Sequence, residues 1–200
     1  MAILKHVSER NSDYGEAQRY LLFEHDEKTG KPQHDDSGNL IPREGIIQSG
    51  LNCDPFTFNT ECTELNCALG KNMGKTDVKA HHYIISFDPR DAVENALTTQ
   101  KAHGIAKAFA EKFFAGHQAL IVTHPNGHHQ AGNIHVHIVI NSLRKENVPW
   151  QDFMERPIDA LAGYKHHQTR QLLSRMQDYL NEVCEREHLH IRLHYRLFKA

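Results

Sequence analysis

The chain has 200 residues, 39% of them hydrophobic and 24% charged, with a net charge of −2 and 17 histidines. That length suits one domain with a buried core, and the near-neutral balance excludes a surface wrapped all round by nucleic acid, leaving room only for a local basic groove. No apolar run approaches the roughly eighteen residues of a membrane span, nothing at the N-terminus reads as a signal peptide, and Cys53, Cys62, Cys67 and Cys184 have no disulfide-framework spacing. A soluble protein with free thiols in a reducing cytoplasm is therefore expected.

In chain order, residues 2–7 read as a short strand. Ser12-Asp13, with Glu16 three residues on, gives an N-cap and capping box for a first helix striped by Tyr14, Ala17 and Leu21, with Tyr20 and Phe23 beside it. Residues 26–50 read as a polar loop with a small hairpin around Ser37-Gly38-Asn39. Asp54-Pro55 opens a second helix to about Leu69, residues 79–87 form a strand, and residues 92–114 form one long helix ending at Gly116. Residues 118–124 are β-branched and short, a strand again, and residues 125–133 are rich in turn formers. Residues 134–141 are a further strand, residues 167–187 a helix with Leu172, Leu173, Met176, Leu180 and Val183 on one side, and residues 191–193 a last strand. This order predicts an α/β sandwich with a mainly antiparallel sheet, helices on its apolar face and the histidines on its open face.

The strand at 134–141 carries the chemistry. Ile134, Val136, Ile138 and Ile140 point to one face; His135, His137, Val139 and Asn141 point to the other. The two imidazoles stand about 7 Å apart by strand rise, too far to touch but suited to a shared ion. If residues 118–124 and 134–141 pair, His124 ends one strand where His135 opens the next. The resulting His-x10-His-x-His set offers three imidazoles and an open position, as a catalytic divalent centre requires. His128 or His129 is the alternative third ligand.

These segments resemble the conjugative relaxases, the HUH-type mobilisation nucleases, most nearly those of Gram-positive mobile elements. Residues 11–21 resemble the family's first motif, residues 82–87 the second and residues 124–141 the third, so the likeness spans residues 2–187. It implies a single relaxase domain over residues 1–200, the N-terminal part of a longer protein. The implied reaction is attack by Tyr20 on a phosphodiester at the nic site of single-stranded origin-of-transfer DNA. It leaves a 5′-phosphotyrosine and a 3′-hydroxyl, and the strand is later rejoined. It further implies a divalent ion (Mn, Mg, Zn or Ni) on His124, His135 and His137, DNA contact by Ser86, and accessory relaxosome proteins with a coupling protein as partners. One feature departs from the pattern: His124-Pro125-Asn126 lacks the acidic residue that often follows the first histidine in relatives, so the group that orients the ligands is open.

From the residues themselves, His82 shares a strand face with Ser86 and is a candidate to support the ligands, as is Asn141. Arg19, Lys165, His166, His167 and Arg170 are candidate phosphate contacts. Tyr14 is the rival nucleophile. Tyr164 and Tyr179 follow the histidines and would suit a rolling-circle replication initiator or a single-tyrosine transposase. A histidine-triad nucleotide hydrolase would need another histidine where Val139 stands, and a non-catalytic metal-binding protein is the remaining reading.

Overall fold

The computed structural model describes residues 2–9, 14–26, 28–126 and 132–191. The N-cap expected at Ser12-Asp13, the alternative ligands His128 and His129, and all but the first residue of the strand expected at 191–193 lie outside them. Strands β1 (Ile3–Glu9), β2 (Ile47–Leu51), β3 (Ala80–Ser86), β4 (His117–His124) and β5 (His135–Arg144) form one sheet in the order β1-β3-β5-β4-β2. Every neighbouring pair is antiparallel. Helices α1 (Tyr14–Leu22), α2 (Phe58–Leu69), α3 (Arg90–Glu94), α4 (Thr99–Phe113) and α5 (Arg170–Arg186) complete the fold, with a 3-10 turn at Pro157–Ala160. The expected mixed α/β sandwich with an antiparallel sheet is therefore what the chain forms. Among the described residues no helix is long and apolar enough to cross a membrane.

The main core lies where α4 and α5 cover one sheet face. Ile85, Ile121, Val136, Ile138 and Ile140 meet Phe109, Phe113, Met176 and Leu180 there. The histidine face is not open. Tyr14 and Leu21 of α1 and Phe58 and Cys62 of α2 close over Leu120, Val122 and Val139 in a second, smaller core. All ten residues of β5 are buried as a result.

Two expectations are corrected. The helix expected over 92–114 is broken. Ala96 takes a left-handed φ of 51°, and Thr98 caps a fresh helix by accepting from the Lys101 N–H at 3.1 Å. The polar stretch 26–50 ends in β2, which pairs with β4 at the sheet edge. Gly50 is required in that strand because a Cβ there would sit 2.1 Å from the Cys53 carbonyl oxygen. The small hairpin does form, with Asp35 N–H donating to Asn39 O and bridges His34–Leu40 and His25–Pro32 behind it. Residues 23–26 and 28–46 thus belong to a folded-back ribbon leaving the end of α1.

Candidate metal centre

β4 and β5 place His124 opposite His135 and Val122 opposite His137. The three imidazoles converge from adjacent positions on one face, every pair with ring centroids 4.9 Å apart. Strand rise alone would hold His135 and His137 further apart; their rings lean together at 75° and meet. One ligand atom from each lies within 4.8 Å of the others, and all three residues are buried.

The carbonyl beside His124 assigns its tautomer. A carbonyl oxygen only accepts, so His124 Nε2, 2.8 Å from Leu21 O, carries the proton and Nδ1 holds its lone pair, 3.2 Å from His135 Nε2. His135 Nδ1 lies 3.5 Å from Asn133 O, and His137 Nδ1 lies 2.7 Å from His82 Nε2. With both Nδ1 atoms as donors, each imidazole keeps one unprotonated nitrogen, as a three-nitrogen metal site needs. The residues fit a divalent ion. No carboxylate follows His124; the Leu21 carbonyl contacts His124 and the His82 ring contacts His137. Replacing His82 by Ala is expected to weaken Mn²⁺ binding about 10- to 100-fold by calorimetry; unchanged affinity would contradict this orienting role.

Tyr20 lies on α1, 36% exposed, its ring 5.1 Å from that of His25. It borders two clefts that meet at the histidines. One, of about 400 Å³, is walled by the ribbon residues Glu24, His25, Gln33 and Arg43. The other, of about 440 Å³, opens over Lys5, His82, Ser86 and Asn133. Ser86 pairs with His135 across the sheet. Arg19 is exposed on α1 beside Tyr20.

Other candidates lie elsewhere. Tyr14 is buried, donates to Lys79 O at 2.7 Å and bonds Asn141 and Asn66; burial pushes its phenol far above the ordinary range. Asn141 belongs to that network, bonding Asn66 and Gln118 through its amide. Lys165 bridges Leu143 and pairs with Asp77 at 2.8 Å, which puts it roughly 25 Å along β5 from His135 at strand rise. His166 is engaged with Tyr83 at that same end, His167 faces Asp159, and Arg170 opens α5. The structure brings none of these four to the histidines. Tyr164 accepts at its carbonyl from Arg144 N–H, also at the far end of β5, and Tyr179 packs against Phe109 and Phe113 on the opposite face. Val139 is fully buried.

Sequence reasoning missed the ribbon and Lys5. Nothing in a polar stretch distinguishes a cleft wall from a solvated loop, and Lys5 gains its place only through the pairing of β1 with β3.

Comparison with known proteins agrees with this geometry. The chain is 28% identical over 154 residues to the protein rlx of Staphylococcus aureus, across 76% of this chain and 38% of that protein. It therefore spans well under half of that relative's length. Two solved structures share the fold. One, determined for the molecular basis of vancomycin resistance transfer in Staphylococcus aureus, superposes with a TM-score of 0.54 at 14% identity, over 99% of this chain and 100% of that one. The other, the MobM relaxase domain bound to plasmid oriT DNA with manganese, also gives 0.54 at 13% identity, over 100% and 92%. The relaxase family described as MobA/VirD2-like, nuclease domain, matches residues 42–189, three-quarters of the chain and the whole histidine hairpin, and the chain belongs to that family.

Proposed function

We propose that this domain nicks and rejoins one strand of origin-of-transfer DNA, using Tyr20 as nucleophile and a divalent ion on His124, His135 and His137. One observation carries the reading: Tyr20 borders one cleft with His124, His135 and His137, and a second with His135 and His137. The relative solved with oriT DNA and manganese lends it the substrate class and the metal. The all-imidazole set suits a first-row transition ion better than Mg²⁺. When bound, the ion would supply Lewis acidity at a phosphate oxygen.

The chain's own residues do the rest. α1 carries the Tyr20 phenol to the cleft, and His124, bonded to the carbonyl of the next residue, ties that helix to the ligand set. Tyr20 Oη attacks phosphorus and the P–O3′ bond breaks. The bond energy stays in the 5′-phosphotyrosine, and the freed 3′-hydroxyl can reverse the step. Ser86, Lys5 and Arg19 would take the strand beside the nick. Lys165, His167 and Arg170 would meet only DNA that runs on to the far end of β5, such as a flanking stem. Relaxosome accessory proteins and a coupling protein would complete the assembly. The four free cysteines suit a cytoplasmic setting.

Oligonucleotides tiling both strands of the replicon that carries the gene, incubated with Mn²⁺ and run on denaturing gels, test this directly. A covalent adduct with one oligonucleotide, mapped to Tyr20 by mass spectrometry, is expected. No adduct with any, or an adduct on Tyr14, Tyr164 or Tyr179, defeats the reading. With so few basic residues at the cleft, affinity for that oligonucleotide should fall only shallowly with salt, by a log–log slope of roughly −2 to −3 for three or four phosphates at about 0.7 each; a slope near −7 would require a basic surface this chain lacks.

A further inference from the structure

We infer that Arg43 is a further catalytic residue, its guanidinium gripping the non-bridging oxygens of the scissile phosphate beside Tyr20. The inference rests on the proposed nicking reaction and adds a group that neither motif nor resemblance points to.

Arg43 stands on the return arm of the ribbon, where its N–H donates to Leu22 O at 2.9 Å and the bridge Phe23–Pro42 fixes the strand beside it. Its backbone is thus clamped to the end of the helix that carries Tyr20. The side chain folds back over that helix, with Cζ 6.0 Å from the centroid of the Tyr20 ring. It borders the cleft that Tyr20 shares with His124, His135 and His137.

Arg43 is poorly satisfied for so enclosed a group. Its side chain is 20% exposed, and among the described residues its carboxylate partner is Glu24, whose oxygen is 3.7 Å from Nη1, beyond hydrogen-bond length. Nη2 reaches Tyr20 O only at 3.5 Å. Nε is buried with no partner among the described residues. A buried guanidinium donor left unpaired costs free energy, and native structures retain one where a ligand or function repays it. The fork of donors matches two phosphate oxygens. Lining the same cleft as the histidine cluster, it would balance the charge that gathers on the equatorial oxygens as the Tyr20 Oη–P bond forms and P–O3′ breaks. The phenol's proton loss is matched by proton uptake at the 3′ oxygen, and Arg43 stays charged throughout.

Inorganic phosphate, titrated by calorimetry into the Mn²⁺-loaded protein, tests this without the DNA sequence or the nucleophile. Arg43→Ala should bind phosphate about tenfold more weakly or worse, and Arg43→Lys should lose less. Mn²⁺ affinity should be the same in all three proteins. Phosphate affinity unchanged in Arg43→Ala and Arg43→Lys overturns the assignment. With the cleaved oligonucleotide at saturation, Arg43→Ala should form the adduct on the order of a hundredfold more slowly; an unaltered rate also overturns it. If the parent protein forms no adduct on Tyr20, the nicking reading fails, and the phosphate titration still decides the anion site.

Discussion

A Tyr20→Phe protein is expected to bind Mn²⁺ and single-stranded origin DNA as the parent does and to form no covalent complex, a loss on the order of 10⁴-fold or more in rate. The substitution removes one oxygen from a side chain that is already more than a third exposed, so the fold has little to lose. Tyr14→Phe gives the contrasting result. Its hydroxyl joins Lys79, Asn66 and Asn141 inside the protein, and deleting it strands buried polar groups. The expected cost is about 1–3 kcal/mol of stability with the covalent complex retained. Denaturing gels and urea titrations on the two variants separate the roles. A full-strength complex in Tyr20→Phe would end the assignment.

Acid should unfold this domain early, and the cause lies on the sheet face away from the metal centre. His81 and His117 are buried, and burial pushes both imidazoles down to about 3, with Arg144 adding to the effect at His117. His6 stacks on His81, and His166 packs edge-on against both. In the unfolded chain each would titrate near 6.5. The native state therefore binds fewer protons, and the stability present above pH 6.5 is lost as pH falls toward 3. For His81 and His117 together the loss between pH 7 and pH 5 is about 4 kcal/mol, at about 1.4 kcal/mol per pH unit for each once the pH is below about 6.5, a large part of a typical domain's total. The carboxylates held low by their partners, Asp88 and Asp159 among them, would act only at still lower pH. Urea midpoints measured across pH 5–7 should show the slope, and His117→Gln should roughly halve it. A flat profile in the parent would contradict the argument.

The hairpin was legible because its signal is local. β-branched runs, a turn-rich connector and alternating histidines fix both the pairing and the face, and His124 meeting His135 follows from the register. β2 was not, because Ser49 and Gly50 break the apolar pattern and its pairing with β4 joins residues as far apart as Leu51 and Ala119 or Ile47 and Thr123. The break before α4 had a readable signal in Thr98, but the helical period runs through it unaltered on both sides. The covering of the histidine face by α1 and α2 had none, since only tertiary packing decides which side of a sheet a helix takes. Arg43 is the plainest case: an arginine in a polar stretch acquires meaning only when the ribbon folds back over Tyr20.

The sheet order has a consequence for how the molecule opens. β5, which carries His135 and His137, lies at the centre with strands bonded on both sides. Its amide protons should exchange with solvent only through global unfolding, while those of α1, a nine-residue helix with Arg19 and Tyr20 exposed, should exchange through local opening at far lower free energy. On the proposed reading, the nucleophile would ride on the less protected element and the ligands would sit in the most protected one. A strand of DNA attached to Tyr20 would be held on a short helix whose hold on the sheet rests on Tyr14, Leu21 and the Leu21–His124 bond, while the three imidazoles stay in the central strands.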